Sequence, residues 1–142
     1  MSAQALVGRW ELVAFQQNYD DGRRVYPMGE APQGIIQYTE NGFMSCIISR
    51  PDRAHFTTGG QWNASDAEKA QAYNSMLSYA GRYEIENNTV THLVDLSLFP
   101  NWIGGQQKRD FHFDEQGQLS LTARLEDNTS EARTALLLWK KA

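Results

Sequence analysis

The feature that most constrains the fold of this chain is the alternation of apolar and polar residues along short runs separated by turns. In residues 6–15, for example, Trp10 and Leu12 occupy one face while Arg9 and Glu11 occupy the other. A period of two is typical of a β-strand with one buried face, because successive side chains point to opposite sides of a strand. The chain is therefore predicted to be built mainly from strands.

The same pattern along the whole sequence predicts eight strands. They cover residues 6–15, 34–39, 43–49, 79–86, 89–98, 106–114, 118–125 and 132–140. Asn41-Gly42 and Asn87-Asn88 are turn pairs that tolerate the left-handed conformation, and they join neighbouring strands directly. Residues 18–33 are polar and rich in glycine and proline, which predicts a long loop.

One helical segment follows the third strand. Ser65 and Glu68 have the spacing of a capping box, in which the serine hydroxyl accepts from the amide of Glu68 and the glutamate carboxylate reaches back. Good helix formers follow at residues 68–71. A short helix is therefore expected across one opening of the fold or along its side.

Sequential antiparallel strands with tight turns favour an all-β, up-and-down barrel, because closure removes exposed strand edges. We expect a single domain over residues 1–142: a closed barrel of eight strands, and at most ten, with one short helix. A two-sheet sandwich is the competing geometry, and the near-absence of long crossing connections counts against it. The interior of an eight-stranded barrel is filled by side chains or holds one small ligand.

Charge, cysteine and histidine content limit the expected partners, cellular location and cofactors of the protein. The net charge is −4 and no basic run occurs, so neither nucleic acid nor a membrane is an expected partner. The N-terminus lacks a signal-peptide pattern, and the lone Cys46 excludes an intrachain disulfide, which together predict a cytoplasmic protein. His55, His92 and His112 lie on separate segments, so we expect no metal site and no cofactor.

Several motifs resemble a known family. Gly8 and Trp10 form a Gly-x-Trp pattern similar to the signature of the calycin superfamily, which includes lipocalins, fatty-acid-binding proteins and avidins. The whole chain resembles the lipocalin-like domain family of small microbial proteins. The matching segments are residues 6–12, 27–29, 34–44, 79–83, 90–92, 100–104, 107–109 and 138–140. The resemblance implies a lipocalin-like barrel with Trp10 packed at its base under a basic side chain, either Lys140 or Arg133.

Alternation also predicts which side chains face the barrel interior. On residues 89–98 one face is apolar except for His92, and on residues 106–114 one face carries Gln107, Arg109 and Phe111. Tyr83 and Tyr38 face inward on their own strands, although the opposite register is open for Tyr38. An apolar wall with a few polar groups is typical of a ligand site. The predicted ligand-binding residues are Tyr38, Tyr83, His92, Gln107, Arg109 and Phe111.

Arg109 carries most of the functional argument. A buried guanidinium is costly unless it is paired, and no carboxylate occurs at the predicted inward positions. An anionic ligand such as a carboxylate or an enolate would supply the partner. The alternatives are that Arg109 reaches a barrel mouth or pairs with Asp20 or Asp21.

Three functions fit this interior. The first is a protein that binds a small, largely apolar, anionic molecule. The second is a cofactor-free isomerase or cyclase, with His92, Arg109 and Tyr83 as catalytic candidates, since histidine transfers protons near neutral pH and tyrosine stabilises an oxyanion. The third is a packed barrel that serves as an interaction module. His92 also has a structural alternative, as a core histidine satisfied by tyrosine hydroxyls or by a backbone carbonyl.

The loop at residues 99–105 carries large apolar side chains in a turn. Phe99, Trp102 and Ile103 are expected to cap the barrel or gate its mouth, and the alternative is a plug packed permanently on the core. Together with Trp62 and Phe56 they offer a surface for a homodimer.

Overall fold

The computed structural model describes residues 3–142, which form nine strands, two α-helices and one 3₁₀ turn. The strands are β1 (Gly8–Tyr19), β2 (Arg24–Val25), β3 (Gln33–Tyr38), β4 (Phe43–Ser49), β5 (Met76–Glu86), β6 (Thr89–Ser97), β7 (Gln106–Phe113), β8 (Leu119–Leu125) and β9 (Arg133–Lys141). The helices are α1 (Ala3–Leu6) and α2 (Asp66–Asn74), and the 3₁₀ turn η1 covers Pro100–Trp102.

All strand pairs are antiparallel, and the sheet closes on itself. The strand order is β2-β1-β3-β4-β5-β6-β7-β8-β9, and β1 also pairs with β9. The start of β1 bonds to β3, with Gly8 opposite Tyr38, and its remaining length bonds to β9, with Tyr19 opposite Arg133. The predicted closed barrel of eight strands is confirmed, and β2 is one additional strand outside the ring.

The first strand and the loop after it differ from the prediction. β1 continues past residue 15 to Tyr19, and the short β2 folds back so that Val25 lies opposite Gln17. The residues that extend β1 are polar and show no alternation. They are ordered as a strand because β9, more than one hundred residues away, supplies their hydrogen bonds up to Tyr19. The predicted loop over residues 18–33 is therefore partly strand.

Helix α2 begins as predicted but with a different cap. The amide of Glu68 donates to the hydroxyl of Ser65 over 3.3 Å, which is half of a capping box. The Glu68 carboxylate does not reach back to Ser65; it accepts from the amides of Thr57 and Thr58 at 2.9 and 3.0 Å. The glutamate thus ties the preceding loop to the helix.

The base of the barrel is closed around Trp10, as the resemblance implies, but by a different cation. The Trp10 indole donates to the carbonyl of Leu6 over 2.9 Å, and the Lys141 ammonium lies 4.5 Å from the Trp10 ring centre. The predictions of Lys140 and Arg133 were wrong. Trp139 faces inward, so alternation turns Lys140 outward and returns Lys141 to the inner face, while Arg133 stacks on Tyr19 near the other end of β9.

Candidate functional site

An internal cavity of about 500 Å³ occupies the part of the barrel away from Trp10. Phe15, Ile36, Ile48, Leu121, Leu137 and Trp139 contribute to its apolar wall. Gln17, Tyr79, His92, Gln107 and Arg109 bring polar groups to the same wall. The volume lies within the range of roughly 300–1,000 Å³ that is usual for small-molecule sites.

Two neighbouring strands place three of the predicted residues in this wall. His92 on β6 lies directly opposite Gln107 on β7, and Val90 lies opposite Arg109. Opposed residues of an antiparallel pair share a face, so Gln107 and Arg109 follow His92 to the inside. His92, Gln107 and Arg109 are therefore brought together at the cavity.

His92 is held between two tyrosine hydroxyls. Its Nε2 atom is 2.7 Å from the hydroxyl of Tyr38, and its Nδ1 atom is 2.6 Å from the hydroxyl of Tyr79. His92 is 1% exposed, Tyr38 2% and Tyr79 7%. The structural alternative for His92, a core histidine satisfied by tyrosine hydroxyls, thus describes its hydrogen bonding, and the same residue also borders the cavity.

Burial keeps this trio uncharged. Desolvation of the imidazolium, together with the positive charge of Arg109, lowers the pKa of His92 to about 3. Desolvation of the phenolate raises the pKa of Tyr38 and that of Tyr79 above their ordinary value. Near neutral pH the three groups are therefore a neutral imidazole and two neutral phenols.

Arg109 is half-buried in the cavity wall and has no acidic partner among residues 4–142. Its Nη2 atom donates to Oε1 of Gln107 over 3.1 Å, and its Nη1 atom donates to the carbonyl of Lys108 over 2.8 Å. The suggested partners Asp20 and Asp21 are engaged elsewhere: Asp20 pairs with Arg124 at 2.8 Å and Asp21 with Arg23 at 2.9 Å. The alternative in which a loop acid neutralises Arg109 was wrong.

The other predicted ligand-binding residues lie in the core outside the cavity wall. Tyr38 is buried behind His92 and reaches the cavity only through it. The Tyr83 hydroxyl donates to the carbonyl of Thr39 over 2.7 Å, and its ring packs edge-on against Tyr38. Phe111 packs against Phe113 at the Trp10 end.

Sequence reasoning did not select three residues of the wall. Tyr79 was placed on an inward face but not chosen, because nothing local showed that its hydroxyl meets His92. Gln17 lies in the part of β1 beyond the predicted strand, which ended at residue 15, and its Oε1 atom accepts from Nε of Arg133 at 2.8 Å. Trp139 was treated only as part of the family's closing motif. Its buried indole N–H has no hydrogen-bond partner in the described part of the chain.

Trp102 of η1 and the loop residue Met28 also line the cavity. Trp102 packs edge-on against Tyr79 and Phe99, with ring centres 5.7 and 5.4 Å apart. Phe99 and Ile103 remain exposed. The loop at residues 99–105 thus contributes one aromatic ring to the cavity wall. Its roles as a gate and as a homodimer surface stay predictions.

Three further expectations concern the cysteine, metal ligands and membrane-spanning helices. Cys46 is a buried strand residue, and burial raises the pKa of its thiol to about 12. In the part of the chain that the structure describes, no three histidine, cysteine or acidic side chains group as metal ligands. Within the same residues, no helix has the length and apolar character that crossing a membrane requires.

The chain matches a known protein family and is similar to a named protein. The family described as lipocalin-like domain matches residues 7–142. A protein of Aspergillus oryzae (strain ATCC 42149 / RIB 40), named 4'-hydroxy-3'-methoxypropiophenone carrier protein, is 33% identical over 107 residues, which cover 69% of this chain and 96% of that protein.

Two solved structures are also similar. A lipocalin-like protein from Bacteroides uniformis ATCC 8492 has a TM-score of 0.49 and 14% identity, over 97% of this chain and 99% of that one. An uncharacterized protein from Bacteroides eggerthii DSM 20697 has a TM-score of 0.42 and 12% identity, over 93% of this chain and 98% of that one.

Proposed function

Because the chain belongs to the lipocalin-like domain family, we propose that it is a carrier that binds a small, largely apolar, anionic organic molecule inside its barrel. The observation that carries the proposal is the cavity of about 500 Å³ with Arg109 in its wall, where the guanidinium forms no salt bridge among residues 4–142. His92 and Gln107 stand next to Arg109 as neutral polar contacts.

The charge of Arg109 supports an anionic or strongly electron-rich ligand. A guanidinium loses hydration on burial, and its bonds to one amide oxygen and one backbone carbonyl leave the positive charge without a counter-ion. A carboxylate, enolate or phenolate of the ligand would supply the counter-ion for Arg109. The apolar remainder of the wall would take up the hydrocarbon part of the molecule.

The related carrier from Aspergillus oryzae supports the same class of ligand. The compound in its name is an aromatic ketone with a phenolic hydroxyl, which combines an apolar ring with a group that ionises to a phenolate. We infer that the present chain carries a molecule of comparable size and polarity.

The state of His92 favours binding over proton-transfer catalysis. With its pKa lowered to about 3 and both ring nitrogens engaged by tyrosines, this histidine is a poor base near neutral pH. The proposed isomerase or cyclase would need a base that meets the substrate directly. An interaction module with a filled barrel is also disfavoured, because the barrel interior contains the cavity. The cytoplasmic location stays a prediction.

The experiment that tests the carrier is to identify what the purified chain holds. Native mass spectrometry, followed by solvent extraction and analysis of the released compound, should reveal a bound aromatic or aliphatic acid, enol or phenol. In parallel, the chain should bind added 4'-hydroxy-3'-methoxypropiophenone in a calorimetric titration. A chain that is empty when purified and binds none of these compounds would contradict the proposal.

Arg109→Gln tests the assigned charge. We expect this variant to bind the same ligand about tenfold to a hundredfold more weakly, since a hydrogen bond to a charged group contributes about 1.5–3 kcal/mol. The matched control is Arg82→Gln. Arg82 is exposed on strand β5, so this substitution removes the same charge at a position outside the cavity. Equal affinity in both variants would show that Arg109 is not part of the site.

A further inference from the structure

The hydrogen bonds around the cavity restrict which polar groups a ligand carries. Building on the carrier function proposed above, we propose that Tyr38 and His92 fix the Tyr79 hydroxyl as a hydrogen-bond donor to a cavity whose polar groups are mostly donors. The cavity therefore favours ligands whose buried polar atom is an acceptor. The ligand class is conjugated or aromatic ketones and their enolates or phenolates. Analogues in which the buried oxygen is a hydroxyl group are discriminated against.

The two glutamines of the wall are fixed as donors. Oε1 of Gln17 accepts from Nε of Arg133 at 2.8 Å, and Oε1 of Gln107 accepts from Nη2 of Arg109 at 3.1 Å. Arginine has no acceptor atom, so each amide must turn its oxygen toward the arginine. The NH₂ groups of both glutamines remain as donors, and each oxygen keeps one further lone pair.

Arg109 adds further donors, because a guanidinium has five N–H bonds and no acceptor. Its Nη2 and Nη1 atoms also serve Gln107 and the carbonyl of Lys108. The Trp139 N–H has no partner among residues 4–142, but it is fully buried and not accessible from the cavity.

Tyr79 is made a donor by the chain of hydrogen bonds behind it. In a neutral imidazole one nitrogen donates and the other accepts. If Nε2 of His92 carried the hydrogen, it would donate to Tyr38, whose own hydroxyl hydrogen would then be buried with no acceptor in the described residues. With Nε2 bare, Tyr38 donates to it over 2.7 Å and both groups are satisfied.

This tautomer of His92 determines whether the Tyr79 hydroxyl donates to the cavity or accepts from it. The hydrogen must then be on Nδ1 of His92, which donates to the Tyr79 oxygen over 2.6 Å. The Tyr79 hydroxyl hydrogen has no acceptor within the trio and is free to donate to a ligand. Tyr38, which does not line the cavity, is in this way a positioning residue for Tyr79.

The side-chain acceptors that remain in the wall are the second lone pairs of the Gln17 and Gln107 oxygens. The other lining residues are apolar apart from the Cys46 thiol, which is held in its protonated form, and the carbonyl of Pro27 already accepts from Arg50 at 3.4 Å. A ligand hydroxyl placed against Tyr79 would find no acceptor there for its hydrogen, and an unpaired hydrogen costs about 1–3 kcal/mol. A ketone of the same shape has no such hydrogen.

Three probes of matched shape test the inference on the full chain. They are the ketone benzophenone, its alcohol benzhydrol and its hydrocarbon diphenylmethane, each titrated by calorimetry at neutral pH. We expect benzophenone to bind about tenfold more tightly than benzhydrol. Equal binding of ketone and alcohol, with diphenylmethane also bound, would overturn this preference for acceptors and leave the carrier function standing. If none of the three binds, the inference is also overturned, while the carrier function is judged separately by the titration with 4'-hydroxy-3'-methoxypropiophenone.

Variants separate the proposed chain of hydrogen bonds from general destabilisation. Tyr38→Phe removes the group that fixes the tautomer, so Tyr79 can donate to Nδ1 of His92 and accept from a ligand hydroxyl, and the ketone-to-alcohol affinity ratio should fall toward one. Tyr79→Phe removes a donor and adds no acceptor, so benzophenone should bind more weakly in that variant. Tyr83→Phe is the matched control, since its hydroxyl serves only the Thr39 carbonyl and the ratio should stay unchanged. An unchanged ratio in Tyr38→Phe would refute its positioning role.

The tautomer is also observable in the unaltered chain, which covers the case in which a variant does not fold. Nitrogen-15 chemical shifts of the His92 ring should show a protonated Nδ1 and an unprotonated Nε2. A proton on Nε2 would reverse the direction of the hydrogen bonds and overturn the assignment of Tyr79 as a donor.

Discussion

At the scale of single residues, His92 combines complete burial with hydrogen bonds to two neutral partners. Tyr38 and Tyr79 satisfy the neutral imidazole but offer no negative charge to an imidazolium. Protonation of His92 would also place a second positive charge near Arg109. The folded state therefore opposes uptake of a proton that the unfolded chain accepts readily.

This difference gives the stability of the chain a defined pH dependence. The pKa of His92 is lowered to about 3 in the folded state from an ordinary value of 6.5, so between these pH values the unfolded state binds a proton that the folded state does not. The stabilisation is fully present above pH 6.5 and is lost as the pH falls toward 3. We expect the free energy of unfolding, measured in urea, to fall by about 1 kcal/mol per pH unit below pH 6.

Two variants test whether His92 causes this pH dependence of the free energy of unfolding. His92→Gln has no titrating group at the site, so the slope between pH 6 and pH 4.5 should disappear even if the variant is less stable at neutral pH. His112→Gln, which alters an exposed histidine on β7, should keep the slope. A slope that survives in His92→Gln would mean that another group causes it.

At the scale of strands and helices, the pair β5 and β6 depends on one glycine. The register shifts between Ala80 and Gly81, so that Gly81 lies opposite Val94. A Cβ atom added to Gly81 would stand 1.9 Å from the carbonyl oxygen of Leu93. No side chain fits there without displacement of the β6 backbone, and this displacement would reach the strand that carries His92.

Gly81→Ala should therefore destabilise the barrel strongly. We expect a loss of about 3 kcal/mol or more, since the change combines steric overlap with a distorted ladder. Gly117→Ala is the comparison: its φ of +82° is also strained for alanine, but no atom lies within 4 Å of the added Cβ. It should cost about 1 kcal/mol. Equal urea midpoints for the two variants would contradict the steric argument.

The sequence predicted best those strands that pair with the next strand along the chain. β3 and β4, joined at Asn41-Gly42, carry their alternation and their turn within a short stretch, so local residues suffice to identify them. The end of β1 was not predicted, because its polar residues become a strand only through β9. His92 and Arg109 were placed inside by alternation alone. Tyr79 and Gln17 were not selected, since their partners His92 and Arg133 come from other strands.

At the scale of the whole molecule, the barrel closes by joining the two ends of the chain. Trp10 lies opposite Lys141, whereas the other ring pairs are mostly hairpins between successive strands. Closing the longest loop costs the most chain entropy before any contact forms. In pulsed hydrogen-exchange during refolding, we expect amides of the β3–β4 and β5–β6 ladders to become protected before those shared by β1 and β9. Protection of the β1–β9 amides first would refute this order.

The same closure has a consequence for when the cavity wall is completed during synthesis. Phe15 and Gln17 of β1 and Leu137 and Trp139 of β9 stand side by side in the cavity wall. A nascent chain that has not yet reached β9 has the first pair but not the second. Such an intermediate has an open wall and cannot enclose a small molecule.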